Sequence, residues 1–194
     1  IRLVYSRTRA KRRYYELRAL RSEDNGESWR SSVVASDPAE ETGYGESAIL
    51  RCGNGDLLVV MRTESLTGTQ DFMSITRSTD DGISWSPPEP TNMYGHPPDL
   101  LLLSNGHILC TFGYRKDPMG IRYMISTDDG HSFRTDSLGV LRDDGKPACD
   151  GGRGGDLGYP ISVELPDASI FTIYYMTCAD GITHIAGTHW REET

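Results

Sequence analysis

Apolar residues in this chain come in short runs separated by turn residues, and three of the runs share one plan. The stretches Ala48–Met61, Asp99–Phe112 and Ile161–Ile173 each set two β-rich apolar segments on either side of a tight turn, at Asn54-Gly55, Asn105-Gly106 and Asp167-Ala168. Asn-Gly between two such segments is a strong hairpin signal, because both residues tolerate the positive φ that a two-residue turn needs. Ile1–Arg7 and Tyr14–Leu20 read as two further strands. At the other end Tyr159–Leu165, Ile170–Met176 and Thr183–Trp190 read as three more. Helical periodicity is low and glycine is frequent, 21 residues in 194, so the pattern predicts an all-β chain with many turns.

A second repeat follows the strands. Ser22–Trp29, Ser78–Trp85 and Ser126–Phe133 all spell S-x-D-x-G-x-S-aromatic. An Asp carboxylate at a tight turn accepts backbone N–H bonds, and the Gly two positions on supplies a left-handed conformation. The closing ring can then bury its area against a neighbouring sheet. This chemistry makes Asp24, Asp80 and Asp128 structural. The alternating carboxylates and distal Glu of an EF-hand are missing, which argues against a calcium loop. The first Ser residues are 56 and 48 positions apart, close to the ~40–50 residues of a propeller blade. Each blade then reads hairpin, third strand, turn motif, fourth strand.

The turn motif resembles the Asp box of the sialidase superfamily. That resemblance implies a β-propeller of the sialidase type, six-bladed when complete, with about four blades within residues 1–194. On this template the chain is a single incomplete propeller domain holding the C-terminal blades. The opening blade lacks its innermost strand, the last lacks its fourth, and the N-terminal blades are missing.

Composition changes this picture little. A net charge of −8 argues against nucleic acid, whose binding needs basic surface. The basic run Arg7–Arg13 reads as a solvated hairpin tip, with a phosphate-binding patch as the alternative. No apolar run is long enough to span a membrane. The four cysteines show no C-x-x-C spacing, so free buried thiols are the default, and a Cys149–Cys178 bridge is conceivable. His184 and His189 fall on opposite faces of a strand, which argues against a shared metal site. No cofactor is expected, and nothing in the sequence reads out an oligomeric state.

Aligned on Gly55, Gly106 and Ala168, the three hairpins place Glu46, Pro97 and Tyr159 at one equivalent position, nine residues earlier. The resemblance gives two of these a role, since a retaining sialidase uses a Tyr nucleophile activated by a Glu. A phenol is a poor nucleophile until a base takes its proton, and as a neutral group it meets an anionic sugar without charge repulsion. Sialidases depart in this way from two-carboxylate glycoside hydrolysis. Arg62, 16 positions after Glu46, is similar to a clamp arginine for the substrate carboxylate. Arg115 is the candidate second member, with Arg122 as the alternative. Guanidinium groups hold carboxylates bidentately, although a surface or interblade ion pair would also explain each one. Asp156 could bond a sugar hydroxyl or cap a turn. His96 could act as a base, as in propeller lyases acting on uronates, or could be a plain loop residue. The segments His96–Arg115, Gly120–Tyr123 and Gly155–Pro160 resemble BNR-repeat sialidase-like proteins over nearly the whole chain. Here Tyr159 precedes Pro160, where sialidases themselves usually have Tyr-Ser.

Three functions follow from these residues. The first is a sialidase-like exo-glycosidase releasing sialic acid or a similar acidic sugar. The second is another glycan-active propeller, a uronate lyase or rhamnosidase-like hydrolase, and the third is a non-catalytic carbohydrate-binding propeller. The family resemblance favours an exported, periplasmic or extracellular, location. It also places the acid/base Asp and the first clamp arginine in the missing blades.

Overall fold

The computed structural model describes residues 1–7, 15–65, 67–68, 72–146 and 156–192. The remainder of the basic run beyond Arg7, Tyr14, Cys149 and the Gly-rich segment before Asp156 lie outside the described residues. The chain forms two compact units, Ile1–Asn92 and Met93–Thr194. The described residues form four antiparallel sheets, with sequence neighbours paired.

The first sheet is β1 (Arg2–Arg7), β2 (Tyr15–Arg21) and β3 (Arg30–Ala35). The second is β4 (Thr42–Arg51), β5 (Leu57–Ser65), β6 (Phe72–Ser78) and β7 (Glu89–Tyr94). The third is β8 (Pro98–Leu102), β9 (Ile108–Tyr114), β10 (Met119–Ser126) and β11 (Gly139–Gly145). The last is β12 (Gly158–Glu164), β13 (Ile170–Thr177) and β14 (Thr183–Trp190). The expected order of hairpin, third strand, turn motif and fourth strand is therefore the order found, with three strands in the first and last sheets.

The three hairpins share their closing geometry. Gly55 N–H donates to Cys52 O (3.0 Å), Gly106 N–H to Leu103 O (2.9 Å) and Ala168 N–H to Leu165 O (2.9 Å). Gly55 and Gly106 sit at φ 94° and 87°, and Ala168 holds the same place at φ 60°. A Cβ there costs roughly 1–2 kcal/mol, so the repeat and not the local residue dictates this turn.

The eight-residue motifs also fold alike. Ser22 Oγ, Ser78 Oγ and Ser126 Oγ each accept the N–H of the motif glycine and donate to the Asp, at 2.7–2.8 Å throughout. The Asp then accepts the N–H and the hydroxyl of the second Ser. The carboxyls of Asp24 and Asp80 are drawn down to about 2 by the Ser28 and Ser84 hydroxyls, then by the N–H groups of the same serines. At Asp128 burial opposes the shift, but the bonds from Ser132 and Ser126 outweigh it, again to about 2. Each glycine is preceded by a left-handed residue, Asn25, Asp81 or Asp129, which makes the turn a mirror-type turn. One expectation needs correction: Phe133 is buried, but Trp29 is 41% exposed and folds back so that Nε1 donates to Gly26 O (3.0 Å).

Alternating apolar positions build the cores. In the first unit Leu17, Ala19, Val34 and Ala35 pack on Tyr44, Val59 and Met61. In the second, Met119 and Ile121 meet Leu157, Tyr174 and Met176, while Leu103, Leu109 and Ile125 meet Ile170. One face of β12–β14 is therefore buried against β8–β11.

Candidate functional site

In the first unit the candidate residues gather at an irregularity in the β4–β5 ladder. Tyr44 pairs with Thr63 and Ser47 with Met61, so Gly45 and Glu46 together face Arg62. Such a bulge re-aims a side chain, and here Glu46 meets the Arg62 guanidinium. Arg62 Nη1 donates to both Glu46 oxygens (3.3 and 3.2 Å), and Nη2 lies 2.6 Å from Glu64 Oε1. All three side chains are about a quarter exposed. Glu64 was missed by sequence reasoning, although its place two residues after Arg62, on the same strand face, is the signal that could have found it.

In the second unit β12 carries a similar irregularity. Gly158 pairs with Tyr175 and Ile161 with Ile173, so Tyr159 and Pro160 face Tyr174. Gly158 and Tyr159 stand at φ 135° and 48°; the glycine adopts such a φ freely, whereas Tyr159 carries backbone strain of the kind that clusters at functional positions. The backbones crowd here, since a Cβ on Gly113 would lie 2.8 Å from His96 O and 2.9 Å from Gly158 Cα. Tyr159 is 50% exposed and stacks on Tyr175, with ring centroids 5.9 Å apart and planes 24° apart. Tyr175 Oη donates to Asp156 Oδ1 (2.6 Å). Burial first, and then the bond to Asp156, push the Tyr175 phenol up to about 12. It therefore stays a neutral donor at ordinary pH. Arg115 donates through Nε and Nη2 to Leu157 O (3.1 and 2.9 Å) and stands 3.8 Å from Asp156 Oδ1. Tyr175 too was missed, yet it lies seven residues after Ala168, as Arg62 does after Gly55.

Arg122 is held by backbone carbonyls, and His96 has the loop position that was one of its two readings. Arg122 is 6% exposed. It donates to Arg142 O and Pro118 O and lies over the Tyr114 ring at 5.1 Å, so its guanidinium ties β10 to its neighbours. Burial lowers its pKa. His96 sits in the loop before β8, where its backbone N–H donates to Gly113 O (2.9 Å).

A further carboxylate emerges in the second unit. Asp99 accepts Ser162 N–H (2.8 Å), and burial raises its pKa to about 6. Hydroxyls continue from Ser162 to Thr111 and Thr172 (3.2 and 3.0 Å), and Trp190 Nε1 donates to Thr172. Cys52, Cys110 and Cys178 are free thiols. Among the described residues no group of three or more His, Cys, Asp or Glu is placed to hold a metal ion, and no helix is long and apolar enough to cross a membrane. Open cavities of about 560, 760 and 540 Å³ lie by Asp24 and Ile83, by Arg2 and Trp29, and by His107 and Leu138. None of these three is lined by Glu46, Arg62, Arg115, Asp156 or Tyr159.

Meandering antiparallel sheets of three or four strands and a repeated turn motif define a β-propeller of the sialidase type. The chain belongs to the BNR repeat-like domain family, whose model matches residues 2–173. Among solved structures it is similar to a protein of unknown function from Dyadobacter fermentans, at 31% identity and TM-score 0.77, covering 93% of this chain and 46% of that one. It is also similar to a Hadza microbial sialidase (16% identity, TM-score 0.63, covering 96% of this chain and 42% of that one). A third likeness is to an endo-arabinase from Bacteroides thetaiotaomicron (16% identity, TM-score 0.65, covering 92% and 71%). The chain spans under half the length of the first two. No curated protein gives a significant match.

Proposed function

We propose that the protein is a glycan-processing glycoside hydrolase of the sialidase-like kind, acting on a terminal sugar. The observation that carries this reading is Tyr159, half exposed on a left-handed backbone and stacked on Tyr175 beside Asp156 and Arg115. A stacked aromatic pair presents a face to a sugar ring, while Asp156 and Arg115 supply an acceptor and a donor for its hydroxyls or carboxylate. In the mechanism this reading implies, Tyr159 is the nucleophile and Arg115 holds the substrate. The likeness to a sialidase and an endo-arabinase supports a sugar substrate without choosing one.

A second reading is a hydrolase of neutral glycans, favoured by the two carboxylates already on Arg62. Turnover of the full-length protein on fluorogenic sialosides and arabinosides decides between them. Tyr159→Phe is expected to lower kcat by about 10³-fold or more, in keeping with removal of a covalent nucleophile. Wild-type turnover that survives in this variant would sink the Tyr159 role. Turnover confined to arabinosides would select the neutral reading.

A further inference from the structure

Arg62 is the residue through which an acidic sugar would be recognised, yet it stands between two carboxylates of its own unit. The β4–β5 bulge brings Glu46 against Nη1 at 3.2–3.3 Å, and Glu64 closes on Nη2 at 2.6 Å, the tighter of the two contacts. We propose that Glu64 sets the charge of the ligand that this site accepts. Glu64 holds the Arg62 Nη2 that a ligand carboxylate would need, so the site takes the hydroxyls of a neutral sugar in place of a carboxylate. This inference rests on the glycan reading above and deepens it.

The chemistry follows from what each group has left to offer. Ionised carboxylates only accept, with about four lone-pair sites each, so Glu64 retains acceptor capacity for sugar O–H donors after engaging Arg62. An incoming carboxylate would have to displace Glu64 or lie within a few ångströms of two like charges. The side chains are about a quarter exposed, where solvent weakens such repulsion without abolishing it. The repeat does not demand an acid at this place. Nine residues after the hairpin Gly55, Gly106 and Ala168 stand Glu64, Arg115 and Thr177. The three hairpins therefore close alike around three different charges. Glu64 acts through Arg62 and is a positioning residue, not a catalytic one.

The test uses three probes on the intact protein: acetate, N-acetylneuraminic acid and the methyl ester of that sugar, which differs by the lost charge. Wild type is expected to bind the ester at least as tightly as the acid, and acetate is expected to leave the Arg62 side-chain NMR resonances in place. Glu64→Gln frees Nη2, so the acid should gain about tenfold over the ester, and acetate should now shift Arg62. Glu64→Asp keeps the charge and should keep the wild-type order, which separates charge from folding. Preference of wild type for the acid, or an equal acetate response in wild type and Glu64→Gln, overturns the proposal. An acetate response confined to Glu64→Gln, with neither sugar bound by any form, upholds the role of Glu64 and removes the glycan reading.

Discussion

Single residues here do work that their neighbours in sequence do not announce. That Tyr159 and Glu46 hold matching places beside ladder irregularities was legible from the sequence because the hairpins align, and an alignment by position needs no knowledge of side-chain direction. Glu64 was missed although its i, i+2 spacing from Arg62 on one strand put the pair on one face, whereas Tyr175 was not found because its hydrogen bond to Asp156 spans 19 residues. Asp99 was invisible for a related reason: its partner Ser162 lies 63 residues on. Its burial has a consequence for stability. An acid whose pKa is raised on folding, here to about 6, favours the folded state fully below its unfolded value near 4, and that contribution is lost as pH rises through about 6. Asp99→Asn keeps an amide oxygen to accept Ser162 N–H but cannot ionise. Urea unfolding from pH 4 to pH 7 should therefore show the variant gaining on wild type as pH rises. A difference independent of pH would mean that the Asp99 carboxylate does not ionise at a cost to folding.

At the scale of elements, the turn motif was the most legible feature, since its chemistry is local. The sequence assigned the bonding to the Asp carboxylate, whereas the first Ser has an equal share by accepting the glycine N–H. The burial of each motif was not legible, because it depends on the neighbouring sheet. Ser126 and Ser78 are buried, at 0% and 2% exposure, while the Ser22 bonds are exposed. Ser126→Ala removes the acceptor of a buried Gly130 N–H and is expected to cost about 1–3 kcal/mol. In Ser22→Ala water can replace the lost partner, and the cost should be well under half of that. Thermal or urea denaturation of the two variants measures the contrast. Equal losses would show that the motif contributes through its bonds alone and not through their burial.

At the scale of the whole chain, the repeat explains an apolar surface that composition could not reveal. On β12 and β13, Ile161, Val163, Phe171 and Ile173 are 63%, 49%, 38% and 42% exposed. Counted from Gly106 and Ala168, their equivalents one blade earlier are Asp99, Leu101, Leu109 and Thr111. Those four engage the following sheet: Asp99 and Thr111 bond Ser162, and Leu101 and Leu109 belong to the cluster holding Ile170. The exposed face is thus the counterpart of a sheet-to-sheet contact, and two of its positions are more apolar than the buried ones they match. A face of this size and character promotes self-association. Installing the residues of the preceding blade, Ile161→Asp with Ile173→Thr, should lower hydrophobic-dye binding and shift sedimentation of the 194-residue chain toward monomer. The melting temperature should hardly change, because both side chains are in water to begin with. A sharp loss of stability would instead show that this face is covered in solution, and the surface would then count as part of the core.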